Sequence, residues 1–373
     1  MTALGLRAAA LLAPMVEIKT HHPSAGDPGG NERALCDHLA PLLDARGADE
    51  IVIADVARGH GGPGAYIWAR WGTPTWILNV HIDTVPANRG WTRDPWTATI
   101  ENETLWGLGS ADTKGAIACA LAAMDVARPT DMAVLFSGDE ERGTAAMRAF
   151  LAGGRAAGIT AALVAEPTSR QAAVRHRGVL AYTATVRGVG GHSSKADHMP
   201  KPIAALARLA VAIDELAKAE VDRGPDGMHG LCVNVAGLEG GVAFNVVPEV
   251  ATLTFSLRPY PGFDRAAWNA RLAALVAEAE RAGGMAIALD LVTDHAPFAA
   301  RDPERLATWL GGPPAVTVDF WTEAALWAEA GIDAIVCGPG DIGHAHAADE
   351  HVTLGDLSWA TALYARLFAK GAP

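Results

Sequence analysis

The sequence predicts an α/β fold with a mostly parallel central sheet, interrupted by an inserted α+β domain. Apolar, strand-like runs alternate with helical stretches over the first half, which favours parallel strands covered by helices. From about Val174 the strands instead alternate apolar and polar residues, as half-exposed strands do. The first pattern returns near the C-terminus. We therefore expect one domain built from residues 1–174 and 293–373, with residues 175–292 inserted between its two parts.

Length and composition indicate a well-packed enzyme. A chain of 373 residues exceeds the size at which one hydrophobic core usually stops growing, so two domains are expected. Apolar residues make up 50% of the chain and charged residues 19%, unlike a disordered or fibrous protein. The net charge of -12 opposes binding to nucleic acid or to an anionic membrane, so neither is expected as a partner. No apolar stretch approaches the roughly 18 residues that a membrane span needs.

The cysteines and the N-terminus favour a cytoplasmic protein. The four cysteines stand apart without CxxC spacing, which indicates neither a disulfide framework nor a cysteine metal site. They are Cys36, Cys119, Cys232 and Cys337. The opening segment MTALGLRAAALLAPMVEIKT contains a short apolar run that Glu17 and Lys19 interrupt. This pattern is typical of an amphipathic helix rather than of a signal peptide.

Individual elements follow from periodicity. In the first part we predict helices at NERALCDHLAPLLDARG, DTKGAIACALAAMDVA and TAAMRAFLAGGRAAG, and strands at IVIAD, AYIWARWG, TWILNVHID, DMAVLFSGDEE and AALVAEPT. In the insertion we predict strands at GVLAYTATVRG and VATLTFSLRP, and helices at PIAALARLAVAIDELAKA and DRAAWNARLAALVAEAERAG. The last part contains the strand DAIVCGPGD and the closing helix LSWATALYARLFAK.

Polar side chains appear where the apolar strands stop. His81 and Asp83 follow TWILNV, Glu140 and Glu141 follow AVLFSGD, and Glu166 follows AALVA. Ligand sites of open α/β sheets lie beyond the carboxyl ends of the strands. We therefore expect these five side chains to share one site.

The HxD motif and a Gly-rich turn add candidates for metal binding. His81 and Asp83 are two residues apart, which on a strand places both on one face. Asp83 could then accept the ring N–H of His81, as carboxylates do for metal-bound imidazoles. Asp112 lies in the turn GLGSADTKGA before a helix, where a helix N-cap is the alternative role.

The run GDEERG places three carboxylates together after an apolar strand. Asp139, Glu140 and Glu141 repel one another, so their placement is costly unless a cation or a catalytic task compensates. One glutamate can bind a metal ion while its neighbour acts as general base. A solvated acidic turn is the alternative interpretation.

The nonapeptide GHAHAADEH offers three further imidazoles. His344, His346 and His351 lie there beside Asp349 and Glu350. Imidazole nitrogen and carboxylate oxygen are the usual protein ligands of borderline divalent ions. The segment alone does not choose among the three histidines, and a solvated polar loop is the alternative.

Taken in order, these motifs resemble those of the co-catalytic zinc amidohydrolases. That family includes acetylornithine deacetylase, succinyl-diaminopimelate desuccinylase, glutamate-releasing carboxypeptidases and aminoacylase. The resemblance covers essentially the full length of the chain. It implies a zinc-peptidase-like catalytic domain in two parts, an inserted dimerisation or lid domain, and two divalent metal ions. Zinc is the expected ion, with cobalt as a possible substitute.

The resemblance also implies a role for each matched residue. His81 and Glu166 would bind one ion and Glu141 the other, with Asp112 bridging both and His346 as the last ligand of the site. Glu140 would be the general base, and Asp83 would support His81. His346 is selected because Ala345 precedes it and Asp349 and Glu350 follow it, as in the family's AHxxDE segment.

In the inserted domain, RGVGGHSSK is similar to the family's dimerisation motif. His192 would reach into the partner subunit's active site and stabilise the tetrahedral oxyanion, which implies a homodimer. Asn245 and Arg258 match residues that contact the substrate carboxylate, a task that suits the planar guanidinium. The chain departs from the family at Leu108, where an Arg is usual, and lacks the Gly-x-Asn-Ala-Ile that commonly follows the HSS motif.

The segment DFWTEAALW favours one branch of the family. Thr322 and Glu323 match the Thr-Glu-Ala of acetylornithine deacetylase, so we expect hydrolysis of N2-acetyl-L-ornithine in arginine biosynthesis. Glu323 could neutralise the ornithine ammonium, or it could only orient its loop. Acetylcitrulline deacetylase, succinyl-diaminopimelate desuccinylase and dipeptidases are the alternatives among enzymes that act on small N-acyl amino acids. A non-catalytic metal-binding relative is the alternative from another class.

Overall fold

The computed structural model describes residues 2–24, 26–59, 62–312 and 315–373. The chain divides into two compact units. The first unit comprises Met1–Val174, Ala300–Val316 and Thr322–Pro373, and the second comprises Arg175–Ala299 and Thr317–Trp321.

The described residues form the following helices and strands. The helices are α1 (Ala3–Glu17), α2 (Glu32–Asp44), α3 (Lys114–Met124), α4 (Ala145–Ala152), α5 (Pro202–Lys218), α6 (Arg265–Gly283), α7 (Pro303–Trp309), α8 (Ala324–Glu329) and α9 (Leu354–Lys370). The strands are β1 (Glu50–Ala57), β2 (Pro63–Trp71), β3 (Trp76–His81), β4 (Thr99–Glu101), β5 (Thr104–Trp106), β6 (Met132–Ser137), β7 (Ala161–Pro167), β8 (Ala172–His176), β9 (Val179–Arg187), β10 (Gly191–His192), β11 (Asn234–Gly240), β12 (Val246–Val247), β13 (Val250–Leu257), β14 (Ile287–His295), β15 (Phe298–Ala299), β16 (Ala315–Val318), β17 (Asp333–Gly338) and β18 (His351–Thr353).

The central sheet of the first unit is mixed rather than mostly parallel. Its strands run in the order β1-β2-β6-β3-β7-β17-β8. Strands β6, β3, β7 and β17 pair parallel to their neighbours in this group, whereas β1, β2 and β8 pair antiparallel at the two sides. The α/β class is therefore confirmed, and the parallel arrangement is confined to the four central strands. These four come from the continuous apolar runs of the sequence and are buried throughout.

Helices cover this sheet and complete the core. Helices α1, α3 and α9 pack against one another, and α2 and α4 pack against β2. The Ala-rich helix α3 is buried along its whole length, because small side chains let neighbouring helices approach closely. Among the described residues, no helix has the length and apolar character required to cross a bilayer.

The second unit has an antiparallel sheet and two long helices. The strand order is β11-β13-β9-β14. In β9 the side chains of Leu180, Tyr182 and Ala184 are buried while their neighbours are partly exposed, which is the period-two alternation expected from the sequence. These side chains share a hydrophobic core with residues of α5 and α6. The sequence boundary between residues 292 and 293 falls inside β14, which pairs with β9 through His295, so the chain leaves this unit only after Ala299.

Candidate metal centre

The topology of the first unit brings the predicted site residues to one edge of the sheet. Strand β3 ends at His81, and the acidic run that contains Glu141 follows the end of β6. Glu166 lies at the end of β7. Because these three strands are parallel neighbours, their carboxyl ends meet at the same edge.

Two histidines face each other across a shared carboxylate. The His81 Nε2 atom lies 2.9 Å from Asp112 Oδ1, and the His346 Nε2 atom lies 3.3 Å from Asp112 Oδ2. His346 Nε2 is also 2.7 Å from Glu141 Oε2, and His81 Nε2 is 3.8 Å from Glu166 Oε2. Asp112 therefore lies between an imidazole–glutamate pair on each side, the position that a bridging ligand needs.

The donor set fits divalent metal ions. Potential ligand atoms of His81, Asp112 and Glu141 all lie within 4.8 Å of one another. In the described part of the chain, only histidines form ion pairs with Asp112, Glu141 and Glu166. Burial raises the pKa of Glu166 well above its usual value, and the charge of Asp112 raises it further against the opposing effect of His81. Such crowding of buried carboxylates is relieved by cations, and nitrogen and oxygen donors of this kind suit zinc.

Glu140 lies beside this cluster. Burial raises the pKa of its carboxyl well above the usual value; the charge of His81 opposes this shift, whereas Glu166 and Glu141 add to it. A raised pKa brings a carboxylate closer to the value that suits a general base near neutral pH. The same crowding makes that pKa sensitive to any cation bound nearby.

Asp83 is fully buried and organises the acidic run. Its carboxylate accepts the backbone N–H groups of Glu140 at 3.1 Å and Glu141 at 3.0 Å. The sequence predicts that this carboxylate also accepts the ring N–H of His81. In the structure, His81 Nδ1 lies 3.0 Å from the backbone carbonyl of Asp83 and 3.6 Å from its carboxylate. The backbone carbonyl is therefore the better acceptor, because the carboxylate is directed at the two amides.

The structure places the three histidines of GHAHAADEH in different surroundings. Only His346 among them contacts Asp112 and Glu141. The ring of His344 stacks on that of His351 at 3.9 Å between centroids, and the His351 ring lies 4.2 Å from that of Trp106. The rings of His344 and His351 therefore contact other aromatic rings, whereas the His346 ring contacts the two carboxylates.

Glu350 is a supporting residue that sequence reasoning missed. Its buried carboxylate accepts the backbone N–H groups of Gly109, Ala111 and Asp112 at 3.0, 2.9 and 3.0 Å. It therefore holds the turn that carries Asp112. Burial raises the pKa of Glu350 to about 8, and the charge of Asp112 adds to the shift. Its only sequence signal is its place beside the His346 segment, since its amide partners lie 238 to 241 residues away.

Thr322 and Glu323, predicted to contact substrate, lie in the interior of the first unit. Glu323 is 1% exposed, and its Oε2 atom accepts hydrogen bonds from Ser137 Oγ at 2.6 Å and Asn79 Nδ2 at 2.9 Å. Thr322 is fully buried, and its hydroxyl accepts the N–H of Ala324. Burial raises the pKa of Glu323 to about 7. This position supports the alternative role, in which Glu323 orients structure rather than neutralising an ornithine ammonium.

The remaining predicted residues belong to the second unit. His192 is exposed at the end of β10, and its Nδ1 atom accepts the backbone N–H of Ser194 at 3.2 Å. The proton of a neutral His192 ring is thereby placed on Nε2. Asn245 is also exposed, and its backbone carbonyl oxygen accepts the backbone N–H of Ser193 at 3.0 Å. Arg258 follows β13 and is partly buried, which lowers the pKa of its guanidinium.

We expect metal affinity to rise with pH. Hydrogen bonds to Asp112 and Glu141 raise the pKa of His346 to about 10, above the usual imidazole value. The metal-free ring is therefore protonated at neutral pH, and a metal ion must displace that proton to bind. Apparent affinity for zinc should rise about tenfold per pH unit for each proton released. Calorimetric titration in buffers of different ionisation enthalpy would count these protons.

A His346→Asn variant serves as the control for this titration. It should bind zinc more weakly and release at least one proton fewer than the unaltered protein. Affinity that does not change between pH 6 and 8 would contradict the protonated state of His346.

Comparison with known proteins matches the chain to one protein family and to two deacetylases. Residues 77–370 match the pattern of Peptidase family M20/M25/M40. The chain is 36% identical to an N-acetyl-L-citrulline deacetylase of Xanthomonas campestris pv. campestris, over 80% of this chain and 82% of the relative. It is 32% identical to an acetylornithine deacetylase of Myxococcus xanthus, over 88% of this chain and 86% of the relative.

Solved structures share the fold. An M20 family metallo-carboxypeptidase from Sulfolobus solfataricus superposes with a TM-score of 0.77 at 17% identity, with 100% of both chains covered. A dinuclear metal-binding peptidase from Bacillus subtilis gives a TM-score of 0.65 at 15% identity, over 99% of this chain and 98% of the other. At these identities the likeness concerns the fold.

Proposed function

Because the chain belongs to Peptidase family M20/M25/M40, whose members are metallohydrolases, we propose that it removes the acetyl group from an N-acetyl-α-amino acid. The observation that carries the proposal is the cluster around Asp112, in which two histidines and two glutamates converge beside Glu140. Such a set of residues suits hydrolysis of an unactivated amide by water.

The ligands divide into two groups around Asp112. We assign His81 and Glu166 to one ion, Glu141 and His346 to the other, and Asp112 to both. Zinc is the proposed ion, with cobalt as a substitute, because imidazole and carboxylate donors suit both. When bound, these ions supply Lewis-acid activation of a water molecule and of the amide carbonyl.

Glu140 is proposed to move the proton in both halves of the reaction. Its carboxylate takes a proton from the attacking water as the new C–O bond forms. It then delivers that proton to the amine nitrogen as the C–N bond breaks, so that acetate and the free amino acid leave. Asp83 holds the backbone at Glu140 through a hydrogen bond to its N–H group.

Residues of the second unit are proposed to complete the site in a homodimer. His192 of the partner subunit would donate its Nε2 proton to the oxyanion, a role consistent with the Nδ1 atom of this exposed ring being occupied as an acceptor. Asn245 and Arg258 would bind the substrate carboxylate, for which a guanidinium provides two parallel donors. Mixing inactive Glu140→Ala and His192→Ala chains should restore part of the activity if His192 acts across the interface.

The substrate is proposed to be N-acetyl-L-citrulline or N2-acetyl-L-ornithine, precursors of arginine. The resemblance of the Thr-Glu-Ala segment favours acetylornithine, and Glu323 is in addition a candidate partner for the ammonium of that substrate. Burial of Glu323 and its hydrogen bonds from Ser137 and Asn79 argue against this ionic contact and leave the resemblance as the support for acetylornithine. The uncharged ureido group of acetylcitrulline needs no such counter-charge, and the Xanthomonas relative acts on it by name.

The proposal is tested by kinetics with four substrates on the zinc-loaded protein. These are acetylcitrulline, acetylornithine, succinyl-diaminopimelate and a dipeptide. We expect the two acetyl amino acids to give the highest kcat/KM. A clear preference for the succinyl substrate or the dipeptide would overturn the assignment.

A Glu323→Gln variant tests the buried role of this residue. We expect the ratio of kcat/KM for acetylornithine to that for acetylcitrulline to change by less than about twofold, since Gln can accept the same hydrogen bonds. If Glu323 paired with the ammonium, the ratio would fall about tenfold or more, which corresponds to about 1.4 kcal/mol. Glu329→Gln, a change of the same type at an exposed position of α8, is the matched control.

A further inference from the structure

A row of buried charged and polar groups leads through the first unit to Asp83. At its far end, Arg58 Nη1 donates to Glu32 Oε1 at 2.6 Å, and each of these side chains is 1% exposed. Glu32 is anchored in turn, because its Oε2 atom accepts the backbone N–H of Ala65 at 2.8 Å. The guanidinium of Arg58 is therefore held in one place inside the protein.

His22 connects this ion pair to Asp83. Arg58 Nη1 lies 3.4 Å from His22 Nδ1, and His22 Nε2 lies 2.7 Å from Asp83 Oδ2. A guanidinium can only donate, so the Nδ1 atom must be an acceptor in this contact. The neutral ring then carries its proton on Nε2 and donates it to Asp83.

Asp83 connects His22 to the backbone of Glu140 and Glu141 through hydrogen bonds. Its Oδ2 atom accepts hydrogen bonds from His22 Nε2–H and from the backbone N–H of Glu141. Its Oδ1 atom accepts a hydrogen bond from the backbone N–H of Glu140. Without His22, Oδ2 keeps only one of these two hydrogen bonds, so the carboxylate is less restrained about its χ2 angle. Rotation would release the backbone of the proposed general base and of the adjacent proposed metal ligand together.

We propose that His22 is a positioning residue for Glu140 and Glu141, which acts through Asp83, and that Arg58 sets the tautomer of its ring. The proposal rests on the proposed function for the role of Glu140. His22 is one of two adjacent buried histidines, and His21 differs in that its Nε2 atom contacts Asp27, at 2.9 Å, rather than Asp83. His21 is therefore a control of the same type, burial and location.

The tautomer is tested on the unaltered protein without any substrate. Long-range 1H–15N correlation spectra distinguish an imidazole protonated on Nε2 from one protonated on Nδ1 and from an imidazolium. A His22→Gln spectrum assigns the resonance. We expect the Nε2–H form in the zinc-loaded protein, and an Nδ1–H ring or an imidazolium would overturn the proposal.

Three variants test the positioning role. Gln carries an N–H donor at a similar distance along the side chain, so His22→Gln should preserve the bond to Asp83, whereas His22→Ala should not. We expect His22→Ala to lower kcat and zinc affinity by about 10–100-fold each, the usual effect of losing an outer-shell partner, with KM within about threefold. His22→Gln should have a kcat and a zinc affinity within about fivefold of those of the unaltered protein. His21→Ala should change neither kcat nor zinc affinity by more than about threefold.

Equal losses in His22→Ala and His21→Ala would show that His22 only fills space, and failure of His22→Gln to recover would exclude the hydrogen bond. If His22→Ala does not fold, the spectrum of the unaltered protein still tests the tautomer of His22, and the kcat and zinc affinity of His22→Gln still test the hydrogen bond to Asp83. If the unaltered protein cleaves no acetyl amino acid, the proposed function fails, while the tautomer and the zinc affinities still test His22.

Discussion

Glu140→Ala is expected to lower kcat by about 10²–10⁴-fold while both metal ions remain bound. The variant removes the group proposed to carry the proton from water to the leaving amine. The ligand assignments do not include Glu140, and its backbone N–H can still bond to Asp83 after the side chain is shortened. Turnover with saturating zinc and metal content by atomic absorption would be measured on the same sample.

Two further variants give this experiment its contrast. Glu140→Gln keeps the volume of the side chain but cannot accept a proton, so it should be as inactive as Glu140→Ala. Glu141→Ala should instead lose metal, because Glu141 is a proposed ligand of the same ion as His346, whose Nε2 atom lies 2.7 Å from the Glu141 carboxylate. Loss of metal from Glu140→Ala, or substantial activity in Glu140→Gln, would contradict the assignment of the base.

Asp112→Ala is expected to abolish both metal binding and turnover. Asp112 is the carboxylate that lies next to both His81 and His346, so its removal weakens both halves of the centre together. We expect zinc affinity to fall by more than the roughly 10–100-fold that loss of an outer-shell partner costs. Chelator competition with fluorescent detection would measure the affinity.

An exposed aspartate supplies the control for this charge change. Asp55 on β1 pairs with Arg33 at the surface, so Asp55→Ala should bind zinc as the unaltered protein does. Retention of two tightly bound ions by Asp112→Ala would exclude the bridging role. Circular dichroism of the metal-free proteins would separate an effect on the centre from loss of the fold.

The sequence was most informative where neighbouring residues share one strand or one strand end. The central strands were visible as apolar runs, and their parallel order follows from the alternation with helices. The acids after β6 and His81 at the end of β3 could be placed together for that reason alone. Family membership, predicted from the order of the motifs, and the α/β class, predicted from the alternation of strands with helices, are confirmed. The metal and catalytic roles of individual residues stay predictions.

Relations between distant segments were not accessible in this way. The antiparallel sides of the sheet and the continuation of the second unit to Ala299 depend on which strand pairs with which. Glu350 supports a turn 238 to 241 residues away, and His22 supports Asp83 from 61 residues away. A lone glutamate or histidine has no spacing that marks such a contact.

Glu323 shows the difference between the two kinds of information. Its sequence context indicated a family branch and a plausible ionic contact with substrate, and the chemistry of a carboxylate allows that contact. Only the tertiary structure decided where the carboxylate lies, because burial and hydrogen bonds from two other strands depend on the packing of the whole unit. The sequence by itself determined which chemical groups are available and roughly which strand ends carry them. The fold decided which of them meet, since a side chain's partners are set by chain topology rather than by its neighbours along the chain.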